Sequence, residues 1–429
     1  MPQVHTKCRV CHSQKLQLLL DLGNQPLSGV FPRPEVPDPA RSPLELIQCE
    51  DCGLVQLRHT ADLGSMYGAT YGYYSSISPT MVRHLTDKVR HLKETVRLQK
   101  GDVVLDIGCN DGTLLNAYGE EMGLKRVGMD PSSKKFIKSF QQDIEMIFDF
   151  FSAGPMRKLI GNRECKVITS IAMFYDLDDP LAFMKDIRSL LAQDGVWAFE
   201  LSYLPLLLSQ LTYDQICHEH VTYLGLRDLD RLMAKADLKV LDVSFNDLNG
   251  GSIYIYAGRK DTTVPRNDAL VEKVLREEEP LSSPAVFERL KLRVQSHRDE
   301  VRHFLELAKQ AGKRVYGYGA STKGNIVLNY AGIGPEHLIA IGDKNPEKDG
   351  LVTPGSRIPI ISHEELRQKE ADYLFVLIWH FRAEVIRDEI EYLKRGGKLV
   401  FDLPRLHVVD ASNYQRYLDH NFEDLAFSL

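Results

Sequence analysis

Residues 103–115 read VVLDIGCNDGTLL. A short apolar run carries Asp106 near its end, Gly108 and Gly112 bracket a turn, and a second apolar stretch follows. Such runs, bounded by glycine, are the strands of a sheet covered on both faces, and the turn leads into a helix. The same beat recurs in VGMD, which ends at Asp130, in KVITSIAMF (166–174) and in GVWAFELSY (195–203). Alternating strand and helix units imply a parallel sheet. Strands near 239–245 and 252–258 would complete it. Upstream, Met81, Leu85, Val89, Leu92 and Val96 stand three or four apart, the spacing of a helix with one buried face. Downstream, a long helix is expected with Ser283 as N-cap and Pro284 in its first turn. Phe287, Leu290, Val294, Val301, Phe304 and Ala308 mark its buried face, and Gly312 its stop. A second series then begins: RVYGYGAS (314–321), LIAIGDKNP (338–346), YLFVLIW (373–379) and KLVFDLP (398–404).

The first turn also carries chemistry. Glycine lets backbone approach a ligand closely. Asp130, 24 positions after Asp106, closes the next strand, where a carboxylate accepts hydrogen bonds from ribose hydroxyls. NAD and S-adenosylmethionine both want that acid. A dinucleotide needs G-x-G-x-x-G to present helix N–H groups to a pyrophosphate. Here Gly108 and Gly112 stand four apart with Asn110 and Asp111 between them, an acidic turn suited to a cationic amine and sulfonium. The bland alternative is a glycine turn in a ligand-free domain. Asp106, Gly108, Asn110, Gly112 and Asp130 are therefore the candidate cofactor residues, with S-adenosylmethionine as the cofactor.

Four of the seven cysteines form two C-x2-C pairs, Cys8 with Cys11 and Cys49 with Cys52, while Cys109, Cys165 and Cys217 are scattered. Two intervening residues make a turn that points both sulfurs at one metal, so tetrahedral zinc is expected rather than free or redox thiols. Four thiolates close the coordination sphere, which makes the site structural. The expected organisation is α/β: a zinc module at 1–70, a Rossmann-like domain at 71–260, a helical connector at 261–311 and a second Rossmann-like domain at 312–429.

The whole chain of 429 residues is 43% hydrophobic and 26% charged, an ordinary folded composition. Its formal net charge of −6 lacks the basic footprint of a nucleic-acid binder. The opening MPQVHTKCRV has no apolar secretory segment, and no run is long enough to span a bilayer. A cytoplasmic protein with no membrane or nucleic-acid partner is expected; its oligomeric state is not readable.

Two further motifs stand out. TYDQICHEHVTYLG (212–225) holds His218, Glu219 and His220 without the H-E-x-x-H spacing of a catalytic zinc helix. In an extended segment His218 and His220 would share one face with Glu219 opposite. Without further context, a packing role is the plainer reading. GYGASTKGN (317–325) is neither Walker A nor G-x-G-x-x-G. Ser321, Thr322 and Lys323 at a helix start could still hold a diphosphate, or the loop could simply shape a cleft.

Taken together and in order, the paired cysteines, LDLGNQPLSGVF (20–31), YGYYSS (71–76), DIGCNDG, HEH, NGGSIYIY (249–256) and YGASTKGN resemble the three-domain, zinc-containing nucleotide-sugar C-methyltransferases of branched deoxysugar biosynthesis. The resemblance covers nearly the whole chain. It implies S-adenosylmethionine in a class I methyltransferase middle domain and a nucleotide sugar bound between the middle and C-terminal domains. It further implies His220 as catalytic base with Glu219 beside it, and Tyr71 and Tyr73 in the catalytic cleft. Substrate contacts would come from His218, Asn249, Ser321, Lys323 and Asn325. Cys217, Asn249 and Tyr254 depart from the pattern of antibiotic-sugar members, which have Tyr, His and Arg there. The implied reaction is methylation of the carbon alpha to a sugar ketone through a base-generated enolate. An O- or N-methyltransferase, or a non-catalytic zinc-ribbon and Rossmann scaffold, are the alternatives.

Overall fold

The computed structural model describes residues 2–61 and 74–418. Its centre is a seven-stranded sheet in the spatial order Leu238–Asn246, Ser252–Arg259, Leu191–Ser202, Cys165–Ile171, Val103–Ile107, Lys125–Met129, Glu145–Ile147. Pairing is parallel from Leu191–Ser202 through Glu145–Ile147, and Ser252–Arg259 runs antiparallel to both its neighbours. All five residues of Val103–Ile107 are buried, as a strand covered on both faces requires. This strand order, with one reversed strand, is the class I methyltransferase sheet that the sequence led one to expect.

The second Rossmann-like unit is a six-stranded sheet ordered Ile360–Ser362, Ile341–Asp343, Val315–Tyr318, Tyr373–Val376, Lys398–Phe401, His407–Val409, parallel except for the last pair. In both sheets the chain's first strand lies inside and the order reverses beside it, which opens a crevice at the strand ends. The helix Pro284–Gln310 joins the two units with Val286, Phe287, Leu290, Val294, Val301, Leu305 and Ala308 buried. Ser283 precedes it in an extended conformation but its side chain makes no capping bond, so Pro284 in the first turn sets the start. Phe304 is only half-buried. The helix Pro79–Thr95 buries Met81, Leu85, Val89 and Leu92 as its spacing predicted, and Ser78 accepts from the Met81 amide as its N-cap.

The N-terminal module is not an appendage. Its strands Leu16–Pro26, Arg41–Cys49 and Val55–Leu57 form a sheet completed by Thr222–Tyr223, which pairs antiparallel with Val55–Leu57. Residues just after the His-Glu-His triplet therefore belong to the module's sheet, although they fall within the expected 71–260 span. Cys8, Cys49 and Leu54 share a core with the seven-stranded sheet, while Leu20, Leu46 and Leu57 share another with the C-terminal unit. The module wedges between the two larger units. Among the described residues no helix is long and apolar enough to cross a membrane.

Candidate active site

The four paired cysteines converge: all four Sγ atoms lie within 4.8 Å of one another. Tetrahedral zinc with Zn–S of about 2.3 Å needs sulfurs about 3.8 Å apart, so the cluster fits that ion. Both turns are built alike. The His12 amide donates to the Cys8 carbonyl at 3.0 Å and the Gly53 amide to the Cys49 carbonyl at 2.8 Å, each with positive φ. Four thiolates on one zinc would leave no position for water or substrate, which fits a structural and not a catalytic site. Between the first two ligands, Arg9 is buried and donates to Thr60 Oγ1 at 2.7 Å and to Asp178 at 3.2 Å.

Asp178 belongs to the wall of a cavity of about 350 Å³ at the ends of the central strands. Asp106, Gly108, Asn110 and Asp130 line it, together with Asp149, Phe150, Tyr175 and Asp176. Asp106 is buried, takes the Thr169 hydroxyl at 2.6 Å, and is pushed up to about 7 by burial. Asp130 accepts the Asn110 amide at 2.9 Å on one oxygen and the Ser132 amide at 2.6 Å on the other. The Ser132 hydroxyl also donates to it at 2.7 Å, so of a carboxylate's roughly four acceptor sites one remains, enough for one ribose hydroxyl. Asn110 Oδ1 accepts the Ser75 amide at 3.0 Å. Gly112 does not line the cavity, contrary to expectation; it begins the short helix Thr113–Asn116 at φ +82, where a Cβ would lie 2.6 Å from Phe140. Asp149 and Phe150, which follow the strand Glu145–Ile147, escaped the sequence reading. The acid and aromatics of FDFF after the third strand were the available signal.

A second cavity of about 560 Å³ adjoins the first and shares Ala172, Tyr175, Asp176, Asn249 and Lys323 with it. Cys217, Glu219 and His220 form part of its wall. The His220 amide donates to the Cys217 carbonyl at 3.1 Å, so the triplet is a turn and not the extended segment that would pair His218 with His220. That turn sends His218 elsewhere: it is buried outside the cavity, its Nε2 3.1 Å from the Ser42 carbonyl. Glu219 and His220 share the cavity instead. Burial first, and then the Lys323 charge, hold the His220 imidazole down to about 3 against its bond to the Gln215 carbonyl, so it is a free base at neutral pH. The Tyr175 ring sits 4.1 Å from the His220 ring. Glu219 Oε2 is buried without a hydrogen-bond partner among the described residues, and burial raises its carboxyl. Gly29 of the zinc module presses on this group: a Cβ there would lie 2.6 Å from Glu219 Oε1.

The far wall comes from the C-terminal unit: Gly319, Ser321, Lys323, Asp343, Lys344 and Lys348. Its scaffold repeats that of the first cavity. Asp343 accepts the Ala320 amide at 2.7 Å and the Asn345 amide at 2.8 Å, as Asp130 accepts those of Asn110 and Ser132. Ser321 caps the helix Thr322–Ala331 through the Gly324 amide at 2.9 Å. Asn325 is buried outside the cavity and donates to the Ser28 carbonyl at 2.8 Å, so it ties the zinc module down rather than facing a ligand. Tyr71 and Tyr73 lie outside the described residues. Tyr74, next to them, lines the cavity and donates to Asn345 at 2.9 Å.

Three family models match consecutive stretches of the chain: "Putative zinc binding domain" at residues 8–67, "Methyltransferase domain" at 81–243 and "C-methyltransferase C-terminal domain" at 247–404. The chain is 28% identical over 419 residues to the C-methyltransferase NovU of Streptomyces niveus, covering 95% of this chain and 97% of that protein. Over 142 residues it is 30% identical to a tRNA U34 carboxymethyltransferase of Campylobacter lari, covering 30% of this chain and 47% of the relative. Among solved structures, mitomycin 7-O-methyltransferase MmcR overlays 43% of this chain and 55% of its own at 12% identity and a TM-score of 0.33.

Proposed function

We propose that this chain, a zinc-containing three-domain S-adenosylmethionine-dependent C-methyltransferase, methylates the carbon alpha to the ketone of a nucleotide-linked keto-deoxysugar, with His220 as the base. The observation that carries the reading is the pairing of a buried, neutral imidazole with the partnerless Glu219 oxygen on a cavity that adjoins the cofactor cavity.

S-adenosylmethionine supplies, when bound, an electrophilic methyl on a sulfonium. The smaller cavity suits it, since Asp106, Asp130, Asp149, Asp176 and Asp178 face a cationic ligand, and Asp130 is placed for the ribose. The keto-sugar then lies in the larger cavity, with its nucleotide toward the C-terminal unit. Lys344 and Lys348, each with donors beyond its bond to Asp388 or to the Ala320 carbonyl, offer charge to a diphosphate, and Asp343 repeats the acceptor geometry of Asp130. His220 removes the proton beside the ketone. An imidazole held near 3 is a weak base, but an anionic substrate beside it favours the imidazolium and lifts it toward the useful range. Glu219 accepts a sugar hydroxyl or pairs with that imidazolium. The zinc module presses Gly29 onto Glu219 and pairs its sheet with the strand after His220, so the metal acts by holding the base in place. Asn249, at the seam of both cavities, faces substrate and cofactor alike.

The test is a panel of dTDP-, GDP- and CDP-linked 4-keto-6-deoxysugars incubated with the enzyme and S-adenosylmethionine. The expected product gains one methyl mass, and its carbon spectrum places that methyl on carbon. A methyl on oxygen or nitrogen, or no turnover of any keto-sugar, overturns the reading.

A further inference from the structure

We propose that the Lys323 ammonium receives the negative charge made when the substrate is deprotonated, as a second catalytic residue that rests on the keto-sugar reading above. Lys323 is the second residue of the helix Thr322–Ala331 and reaches the seam between the two cavities, lining both. Of the residues that do so, Ala172, Tyr175, Asp176, Asn249 and Lys323, it is the cation. The reacting carbon must sit at that seam, because the methyl comes from one side and the sugar from the other. The ketone oxygen, two bonds further on, lies within reach of the same seam.

The chemistry of the step needs a positive partner. The C–H bond beside the ketone breaks and its proton forms an N–H bond on His220. The C–H electron pair becomes the C=C bond, and the carbonyl π pair moves to oxygen, which takes the negative charge. A donor aimed at that oxygen lowers the barrier most when it is prearranged in a site that excludes water. Lys323 is half-buried and held in place at the seam. One ammonium N–H is held by the Asn249 carbonyl at 3.0 Å, and an ammonium has three donors. Asn249 itself sits at φ +53, a left-handed backbone that turns its carbonyl to the lysine.

A buried carboxyl lies within electrostatic reach of the charge, its own titration raised by burial. Asp214 is buried, takes the Trp379 indole N–H at 2.8 Å, and is the carboxylate whose field acts most strongly on Lys323. Burial holds the Lys323 ammonium below its ordinary range, and the Asp214 field opposes that pull toward the amine. The other groups within reach of that charge are His220, His380 and Cys217, and both imidazoles are held lower by it. The one cation thus keeps the base unprotonated before the step and stabilises the oxyanion after it. A diphosphate clamp would have no need to reach the cofactor cavity, and Lys344 and Lys348, which line only the larger cavity, are better placed for that task.

The experiment measures deuterium uptake from solvent into whichever of the panel sugars the wild type methylates, using the zinc-loaded full chain without S-adenosylmethionine. Wild type is compared with Lys323→Met, Lys323→Arg and Lys323→Met/Asp214→Asn. Loss of an oxyanion donor predicts exchange slower by about 100-fold or more in Lys323→Met, partial rescue in Lys323→Arg, and S-adenosylmethionine affinity within about threefold of wild type. Should Lys323→Met fail to fold around an unpaired carboxylate, the double variant removes both charges and carries the same expectation. Wild-type exchange in either folded variant overturns the assignment and leaves the keto-sugar reading standing. A wild type that exchanges no panel sugar sinks the keto-sugar reading, and this inference with it.

Discussion

Replacing Asp130 by alanine separates the cofactor's cavity from the rest of the molecule. In the structure the carboxylate holds the turn together and faces the cavity: one oxygen accepts the Asn110 amide at 2.9 Å, the other the Ser132 amide at 2.6 Å. Two consequences follow and can be measured apart. Removing an ionised acceptor from a ribose hydroxyl costs about 1.5–3 kcal/mol, or about a ten- to hundredfold rise in the dissociation constant of S-adenosylmethionine. Leaving the buried Asn110 amide without its acceptor costs about 1–3 kcal/mol of folding stability. Asp130→Asn keeps one carbonyl oxygen for the Asn110 amide but turns an NH2 donor toward the Ser132 donors, so it should recover part of the stability and little of the affinity. Calorimetry with S-adenosylmethionine and thermal unfolding of both variants give the two numbers. An unchanged dissociation constant in folded Asp130→Ala would refute the placement of the cofactor.

Cys49→Ser opens the thiolate shell, and because the module's sheet carries Thr222–Tyr223, loss of zinc should cost soluble protein and activity together; a stable, active, zinc-free variant by metal analysis would contradict this. Gly29→Ala puts a Cβ 2.6 Å from Glu219 Oε1 and makes the carboxylate swing aside, so turnover should fall by about tenfold or more with S-adenosylmethionine affinity intact; unchanged turnover would show that this position of the carboxylate is not needed. His218 is buried neutral, its imidazole lowered to about 4 by burial. The unfolded chain therefore binds a proton that the folded chain refuses as pH falls from about 6.5 to 4, and stability should drop by up to about 1.4 kcal/mol per pH unit from this group. The contribution is complete above pH 6.5, and urea unfolding of His218→Gln should show a shallower acid slope than wild type; equal slopes would argue against the buried imidazole.

The two Rossmann-like units were legible because each central strand is an apolar run with an acid or glycine at its end, a pattern that depends only on local burial. The cysteine pairs were legible for a similar reason, since C-x2-C closes within one turn. What escaped was decided by partners distant in sequence. The side-chain directions at 218–220 depend on the turn from Cys217 to His220, and alternation assumes an extended chain. Asn325 sits inside an apparent ligand motif, but its amide is claimed by Ser28, 297 positions away. Gly112 holds its place through its backbone angle and the Phe140 ring above it, away from the cavity wall. The pairing of Thr222–Tyr223 with the zinc module joins segments whose apolar patterns are complete without each other. Asp149 and Phe150 were missed for a simpler reason: their strand, Glu145–Ile147, is short and half-exposed, with no apolar run to announce it.

If His220 makes the nucleophilic carbon, cofactor-free exchange measures that step alone. Wild-type enzyme and His220→Ala are incubated in deuterated water with the keto-sugar that the wild type methylates, and uptake at the alpha carbon is followed by mass. The account predicts rapid uptake by wild type and a loss of at least about 100-fold in His220→Ala, the scale of a general base, with S-adenosylmethionine binding unchanged. Uptake by His220→Ala at the wild-type rate would contradict it.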